Sequence, residues 1–276
     1  MSRQPPIPLK HVLRNTPDIE LWPAGLLHAR SNADARLLAR AKTVLRRKRD
    51  GRYLAAITHE GLHSLLPNLQ REPGLAAAQG VLKTLQQHTR RGLEHVNTLP
   101  LHRLHERLAT LGLDADAYAA HSGLTLVAEP NWLAFAGFDL FRRPLWLHIN
   151  AARAWLHMQA TALGDGIVLE SISGYRSHDY QLGIFERKRA RGLSVEDILA
   201  VNAAPGFSEH HSGFALDIGT LDAPPAEESF ESTPAFAWLC KHAEGFGFRM
   251  SYPRNNPHGI IYEPWHWRFV DAERGQ

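Results

Sequence analysis

The sequence predicts an α+β protein whose two parts differ in texture. A small antiparallel sheet with flanking helices is expected over residues 121–276, preceded by a basic, mostly helical region over residues 1–120. Three observations carry this reading. Beyond about residue 120, helical and β-prone stretches interleave irregularly, not as repeating strand–helix units. Before it, apolar residues recur at helical spacing in three separate stretches. No internal repeat or low-complexity tract interrupts either part.

The elements follow in chain order. "NADARLLARAKTVLRRKR", residues 32–49, offers an N-cap at Asn32 or Asp34 ahead of an amphipathic run. Its end carries Arg46, Arg47, Lys48 and Arg49. That run reads either as a solvated helix terminus complementing the helix dipole, or as a patch for an anionic partner such as a cell-wall polymer or nucleic acid. "PGLAAAQGVLKTLQQHTRRGLEHVNTL" (73–99) and "LHRLHERLATLGL" (101–113) read as further amphipathic helices. In the second part, "NAARAWLHMQATALGDG" (150–166) is a helix ending at Gly164 or Gly166. "IVLESISGY" (167–175) is a short β-prone run followed by turn residues. "SVEDILAVN" (194–202) opens on a Ser N-cap with acidic residues in its first turn. "FALDIGTL" (214–221), "GFRMSYP" (247–253) and "GIIYEPWHWRFV" (259–270) are β-prone again.

Composition narrows the classes. With 44% apolar and 21% charged residues the chain is of the globular kind and can bury a sizeable core. A net charge of +3 is too small to argue for nucleic acid, a role that salt-sensitive retention on DNA would have to establish. The single cysteine, Cys240, excludes an internal disulfide and reads as a small core residue. No stretch reaches the ~18–20 apolar residues of a membrane-spanning helix. The opening "MSRQPPIPLKHVLRN" has no apolar run of signal-peptide length, so a cytoplasmic protein is expected.

Two stretches carry chemistry. "SEHHSGFALDIG" (208–219) places His210 and Asp217 seven apart, with the small residues Gly213 and Ala215 between them. "YEPWHW" (262–267) adds Glu263 and His266. Together they make the inventory of a catalytic zinc site: three protein ligands, an open position and a carboxylate base. Spacing alone does not decide. The chain has 17 histidines, and Ser208, Ser212, His210 and Asp217 also supply the parts of a Ser-His-Asp hydrolase, although no G-x-S-x-G elbow occurs. A metal-bearing binding module without catalysis is a further reading, and it should lack a carboxylate at position 263.

"SEHHSGFALDIG" resembles the Ser-x-His-x-x-Gly-x-Ala-x-Asp signature of the VanY-like zinc D-alanyl-D-alanine carboxypeptidases, in the lysostaphin, D-Ala-D-Ala metallopeptidase and hedgehog-type fold group. "YEPWHWRFV" is similar to that family's Glu-Pro-Trp-His-Trp-Arg ending. "SISGYRSHDYQLGIFERK" is similar to its Ser-Gly-Tyr-Arg-Ser segment, and "FGFRMSYP" to the block before the last motif. The four motifs occur in the family's order over roughly Phe135 to Val270, and the N-terminal region lies outside the resemblance.

The resemblance implies one zinc ion per chain, with His210, Asp217 and His266 as ligands and His211 not among them. Adjacent side chains on a strand point to opposite faces, which agrees with that choice. It implies Glu263 as general base and Arg176 as a stabiliser of the carbonyl oxygen's developing charge. Gln181, Ser208, Tyr252 and Trp265 become candidate substrate contacts, with core packing the plainer reading for at least one of Trp265 and Trp267. A strict strand would put Glu263 and His266 on opposite faces, so a bend at Pro264 is expected. The implied partner is a peptidoglycan stem peptide or muropeptide. Cytoplasmic location leans the expectation toward L,D-carboxypeptidase work on recycled tetrapeptides, because a D,D-enzyme there would trim the pentapeptide precursor. The alternative is a phage-type peptidoglycan endopeptidase.

Overall fold

Thr43, Val44 and Leu45 lie on a strand, not on the helix expected across residues 32–49. Helix α1 (Asn32–Leu38) is capped by Ser31, which accepts from the amide of Asp34, not by Asn32 or Asp34 as expected, and it ends before the basic run. Strand β3 (Thr43–Arg47) follows, held on one side by β2 (Ile19–Pro23) and on the other by β4 (Tyr53–Thr58). Val44 and Leu45 are fully buried there. A central position in a sheet satisfies the backbone on both edges, and that pairing overrides the helical preference of the local sequence.

The structure, a computed structural model, describes residues 11–29, 31–87, 96–101 and 103–270. Its packing divides it into two units: Met1–His102 with Pro130–Phe135, and Arg103–Glu129 with Ala136–Gln276. In the first unit, β1 (Val12–Asn15), β2, β3, β4, β5 (Gly61–Ser64) and the start of β6 (Trp132–Phe138) form antiparallel pairs in the order β5-β4-β3-β2-β1-β6. Helix α2 (Leu75–Gln87) covers the sheet, burying Leu75 and Ala78 against Ile19, Leu21, Leu45 and Leu54. The expectation of a mostly helical N-terminal region is therefore corrected: this part of the chain is built around a sheet. The remainder of the helix expected over 73–99 falls partly on residues 88–95, outside the described residues. The basic run is not a helix terminus either. Arg46 pairs with Glu20 at 2.8 Å and lies over the Trp22 ring, and Arg47 pairs with Asp50 and Glu72.

The second unit has its own four-stranded antiparallel sheet, in the order β10 (Phe248–Met250), β11 (His266–Phe269), β9 (Ala215–Gly219), β8 (Glu170–Ser173). Around it stand α3 (Leu104–Ala109), α4 (Ala115–Ser122), α5 (Ile149–Gly164), α6 (His178–Arg189), α7 (Val195–Leu199) and α8 (Pro234–His242), with β7 (Pro144–Leu147) just before α5. The caps follow the sequence: Ser177, Ser194 and Thr233 each accept an amide from the first turn of their helix, and Ser194 and Asp197 form a reciprocal capping box. Leu104, Leu108 and Leu124 pack with Phe207, Tyr252 and Ile260. Phe185 of α6 is fully buried with Leu111 and Ile198. Burying one such side chain stabilises by about 1.5–3 kcal/mol over leaving it in water. Arg107 of α3 is ion-paired to Asp179 of α6 at 2.6 Å. The α+β expectation for this half holds. Cys240, read from sequence as a core residue, is instead exposed on α8. No described helix is long and apolar enough to cross a membrane.

Candidate metal centre

The register of two strands creates the centre. In the β9–β11 ladder His266 stands directly opposite Asp217, so both side chains leave the same face of the sheet. On the other edge of β9, an irregularity between Ser171 and Ser173 brings Ser173 opposite Asp217. Its hydroxyl donates to Asp217 Oδ2 at 3.0 Å. The third member arrives from a tight turn, Glu209–Ser212, which ends at Gly213 with φ 72°, a left-handed conformation that a side chain would strain.

The ligand atoms converge. His210 Nε2 lies 3.3 Å from Asp217 Oδ1, and His266 Nδ1 lies 3.2 Å from the same oxygen. All three residues are buried, and their ligand atoms lie within 4.8 Å of one another. His210 Nδ1 donates to the Gly174 carbonyl at 2.7 Å, which fixes the tautomer and leaves Nε2 buried without a hydrogen-bond partner. Two imidazole nitrogens and a carboxylate oxygen so gathered fit a zinc ion with an open coordination position. His266 Nε2 faces Glu209 Oε2 at 2.8 Å, and Glu209 also pairs with Arg268. Glu209 is an outer carboxylate that the sequence reading did not single out. Its neighbour His210 hints at the site, but nothing in the sequence joins it to His266.

Electrostatics follow from burial and pairing. Burial pulls His210 down to about 4, helped by the Arg176 guanidinium, so its ring is neutral. Burial opposes the charges of Asp217 and Glu209, yet the neighbouring imidazoles hold Asp217 well below the usual range and Glu209 at about 2. Burial likewise opposes protonation of His266, but hydrogen bonds to Asp217 and Glu209 overcome it and raise that ring to about 10. Glu263, whose carboxylate is 3.7 Å from His266 Nδ1, is pushed up to about 7 chiefly by burial.

The chain between Glu263 and His266 is not strand. Strand β11 begins only at His266, and the His266 amide donates to the Glu263 carbonyl, a turn that lets both side chains face the centre. Arg176, in the loop between β8 and α6, reaches toward Asp217 Oδ2 at 3.5 Å, with its Nε buried and unpartnered. Lys188 of α6 stands near enough to feel both Arg176 and Glu263; burial and then Arg176 lower its pKa.

The other candidates are placed as follows. Tyr252 is buried with its ring 4.7 Å from that of His266. Gln181 is buried and donates to the Ala203 carbonyl, and Ser208 is buried where the Glu209–Ser212 turn begins. Trp265 is nearly buried, its carbonyl accepting from the Ile218 amide. Trp267 packs in the core with its indole donating to Pro264. His211 is turned away from Asp217. It donates from Nδ1 to the Arg176 carbonyl and accepts at Nε2 from the Gly206 amide. The two histidines part because they sit on a turn, not because they alternate on a strand.

Two buried histidines and an aspartate with an adjoining carboxylate, gathered at one antiparallel sheet, have the donor set of a metallohydrolase centre. Residues 144–272 match the family model described as VanY, D-alanyl-D-alanine carboxypeptidase. The bifunctional D-Ala-D-Ala dipeptidase and D-Ala-D-Ala carboxypeptidase VanXYC of Enterococcus gallinarum is 30% identical over 155 residues, 54% of this chain and 78% of that protein. The chain belongs to the VanY-like family. A D-alanyl-D-alanine carboxypeptidase of Enterococcus faecium is 31% identical over 137 residues, 49% of this chain. This chain spans only 41% of that relative's length. Among solved structures, the LdcB LD-carboxypeptidase aligns at a TM-score of 0.43 with 34% identity, covering 46% of this chain and 61% of that one.

Proposed function

We propose that this chain is a zinc carboxypeptidase that removes a C-terminal D-alanine from peptidoglycan stem peptides. The observation that carries the reading is the convergence of His210, Asp217 and His266, with Glu263 set 3.7 Å from His266. Membership of the VanY-like family supports the substrate class. Zinc held there supplies a Lewis acid that polarises a carbonyl oxygen and acidifies water.

The chain's own groups then have defined work. Glu263, held near neutrality by burial, accepts a proton from the attacking water and delivers it to the leaving amine nitrogen. The C–N bond breaks, and D-alanine leaves with its amine. Arg176 offers a fixed guanidinium to the carbonyl oxygen as negative charge develops on it. Arg176 sets a guanidinium beside the centre. A free C-terminal carboxylate complements that cation, which favours an exopeptidase over an endopeptidase. Tyr252, Gln181, Ser208 and Trp265 are the proposed substrate contacts. The finer assignment is cleavage of the L,D bond of tetrapeptides.

Mass spectrometry of products tests this. Zinc-loaded protein and Glu263→Ala are each incubated with tetrapeptide and pentapeptide muropeptides and with purified sacculi. Loss of one alanine from soluble peptides by the wild type alone supports the reading. Release from the pentapeptide only would overturn the L,D assignment, and solubilisation of sacculi without alanine release would overturn the carboxypeptidase.

A further inference from the structure

Arg176 sits on a loop, yet its backbone is gripped from both sides. Its amide donates to the His210 carbonyl at 3.2 Å, and its carbonyl accepts from His211 Nδ1 at 2.7 Å. The residues beside it are gripped by one carboxylate. Glu129 Oε2 accepts from the Tyr175 hydroxyl at 2.6 Å, and Glu129 Oε1 accepts from the His178 amide at 2.8 Å. The segment that brings Glu129 is woven into the same network. The Val127 amide donates to the Gly206 carbonyl, the Val127 carbonyl faces His178 Nε2 at 2.8 Å, and the Gly206 amide donates to His211. The rings of His178 and His211 meet edge to face at 4.4 Å. Glu129, His178 and His211 are all buried.

We propose that Glu129 is a positioning residue for Arg176. A carboxylate this deeply buried is costly unless its hydrogen bonds are made, and Glu129 makes them to the residues flanking Arg176 on both sides. A charge-stabilising group works by being fixed before the reaction, so the restraint on residues 175–178 is what makes the guanidinium effective. Glu129 lies outside residues 144–272, the part of the chain that matches the family model. Residues 127–129 are therefore part of the working site, although no motif marks them. The inference rests on the proposed role of Arg176.

A double-mutant cycle on the full zinc-loaded chain tests it, with kcat and KM for D-alanine release from the stem peptide the wild type cleaves. Arg176→Gln is expected to lower kcat about 100- to 1000-fold. Glu129→Ala is expected to lower kcat about tenfold or more, with zinc affinity unchanged, and to cause no further loss when Arg176→Gln is already present. Glu129→Gln, which keeps one acceptor oxygen, should recover part of the rate. If Glu129→Ala does not fold, Tyr175→Phe removes a single hydroxyl and should show the same dependence on Arg176. Equal losses with and without Arg176, or an unchanged kcat in Glu129→Ala, would overturn the proposal. An unchanged kcat in Arg176→Gln would instead remove its premise, the role given to Arg176.

Discussion

His266 Nε2 and Glu209 Oε2 lie 2.8 Å apart, with His266 buried and Glu209 partly buried beside it. The nitrogen facing the centre is the other one, Nδ1. Glu209 therefore sets which ring nitrogen is free for a metal and how basic it is. Replacing Glu209 by Ala should weaken zinc binding about 10- to 100-fold, the usual cost of losing such a partner. Competition with a chromophoric chelator measures it. Glu209→Gln keeps an acceptor and should fall between Ala and wild type. Unchanged affinity in both variants would remove Glu209 from the centre.

The adjacent histidines should part cleanly in a binding experiment. His210→Ala removes a ligand and should abolish stoichiometric zinc uptake. His211→Gln leaves all three ligands in place and should bind zinc nearly as the wild type does. Loss of zinc in the second variant would mean that the Glu209–Ser212 turn is misread.

Zinc binding should release a proton. In the metal-free protein His266 stays protonated up to a pKa of about 10, donating to Asp217 and Glu209, and a ligating ring must be neutral. His210 is already neutral and Asp217 already ionised at pH 7–8. His266 should therefore release about one proton per zinc at pH 7–8, with a further fraction from Glu263, whose pKa of about 7 a nearby cation would lower. Zinc affinity should fall as pH is lowered below the His266 pKa. Calorimetry in two buffers of different ionisation enthalpy counts the proton, and a count of zero would contradict a protonated His266.

Gly174 holds His210 through its carbonyl and has no room for a side chain. A Cβ there would lie 2.7 Å from Leu145 Cδ1 and 2.9 Å from the Trp146 carbonyl oxygen. One of those neighbours is backbone and cannot swing aside. Gly174→Ala should cost about 1–3 kcal/mol of stability, read from the denaturant midpoint, and should weaken zinc binding with it. An unchanged midpoint would show that the loop yields without cost.

The second unit was legible because its signals are local. Ser194 announces a helix start, and the motifs around His210, Arg176 and His266 lie on short contiguous stretches. The bend before His266 was legible too, from Pro264. What was not legible depends on pairing across distance. Val44 and Leu45 carry apolar periodicity that suits a helix as well as a strand, and only flanking β2 and β4 decide between them. Glu209 and Glu129 are ordinary acidic residues in sequence. Their importance comes from partners 57 and 49 residues away, His266 and His178.

The pairing of Asp217 with His266 has a mechanical consequence. It joins the strands β9 and β11 across 49 residues of intervening chain, and a slip of one residue in their register would turn His266 to the opposite face. A cation gripped by both strands acts as a removable staple on that register. Chelation should loosen β9 and β11 before the helices around them, seen as faster amide hydrogen exchange at Leu216, Ile218 and Trp267. The metal would then guard the strand alignment on which the centre itself depends.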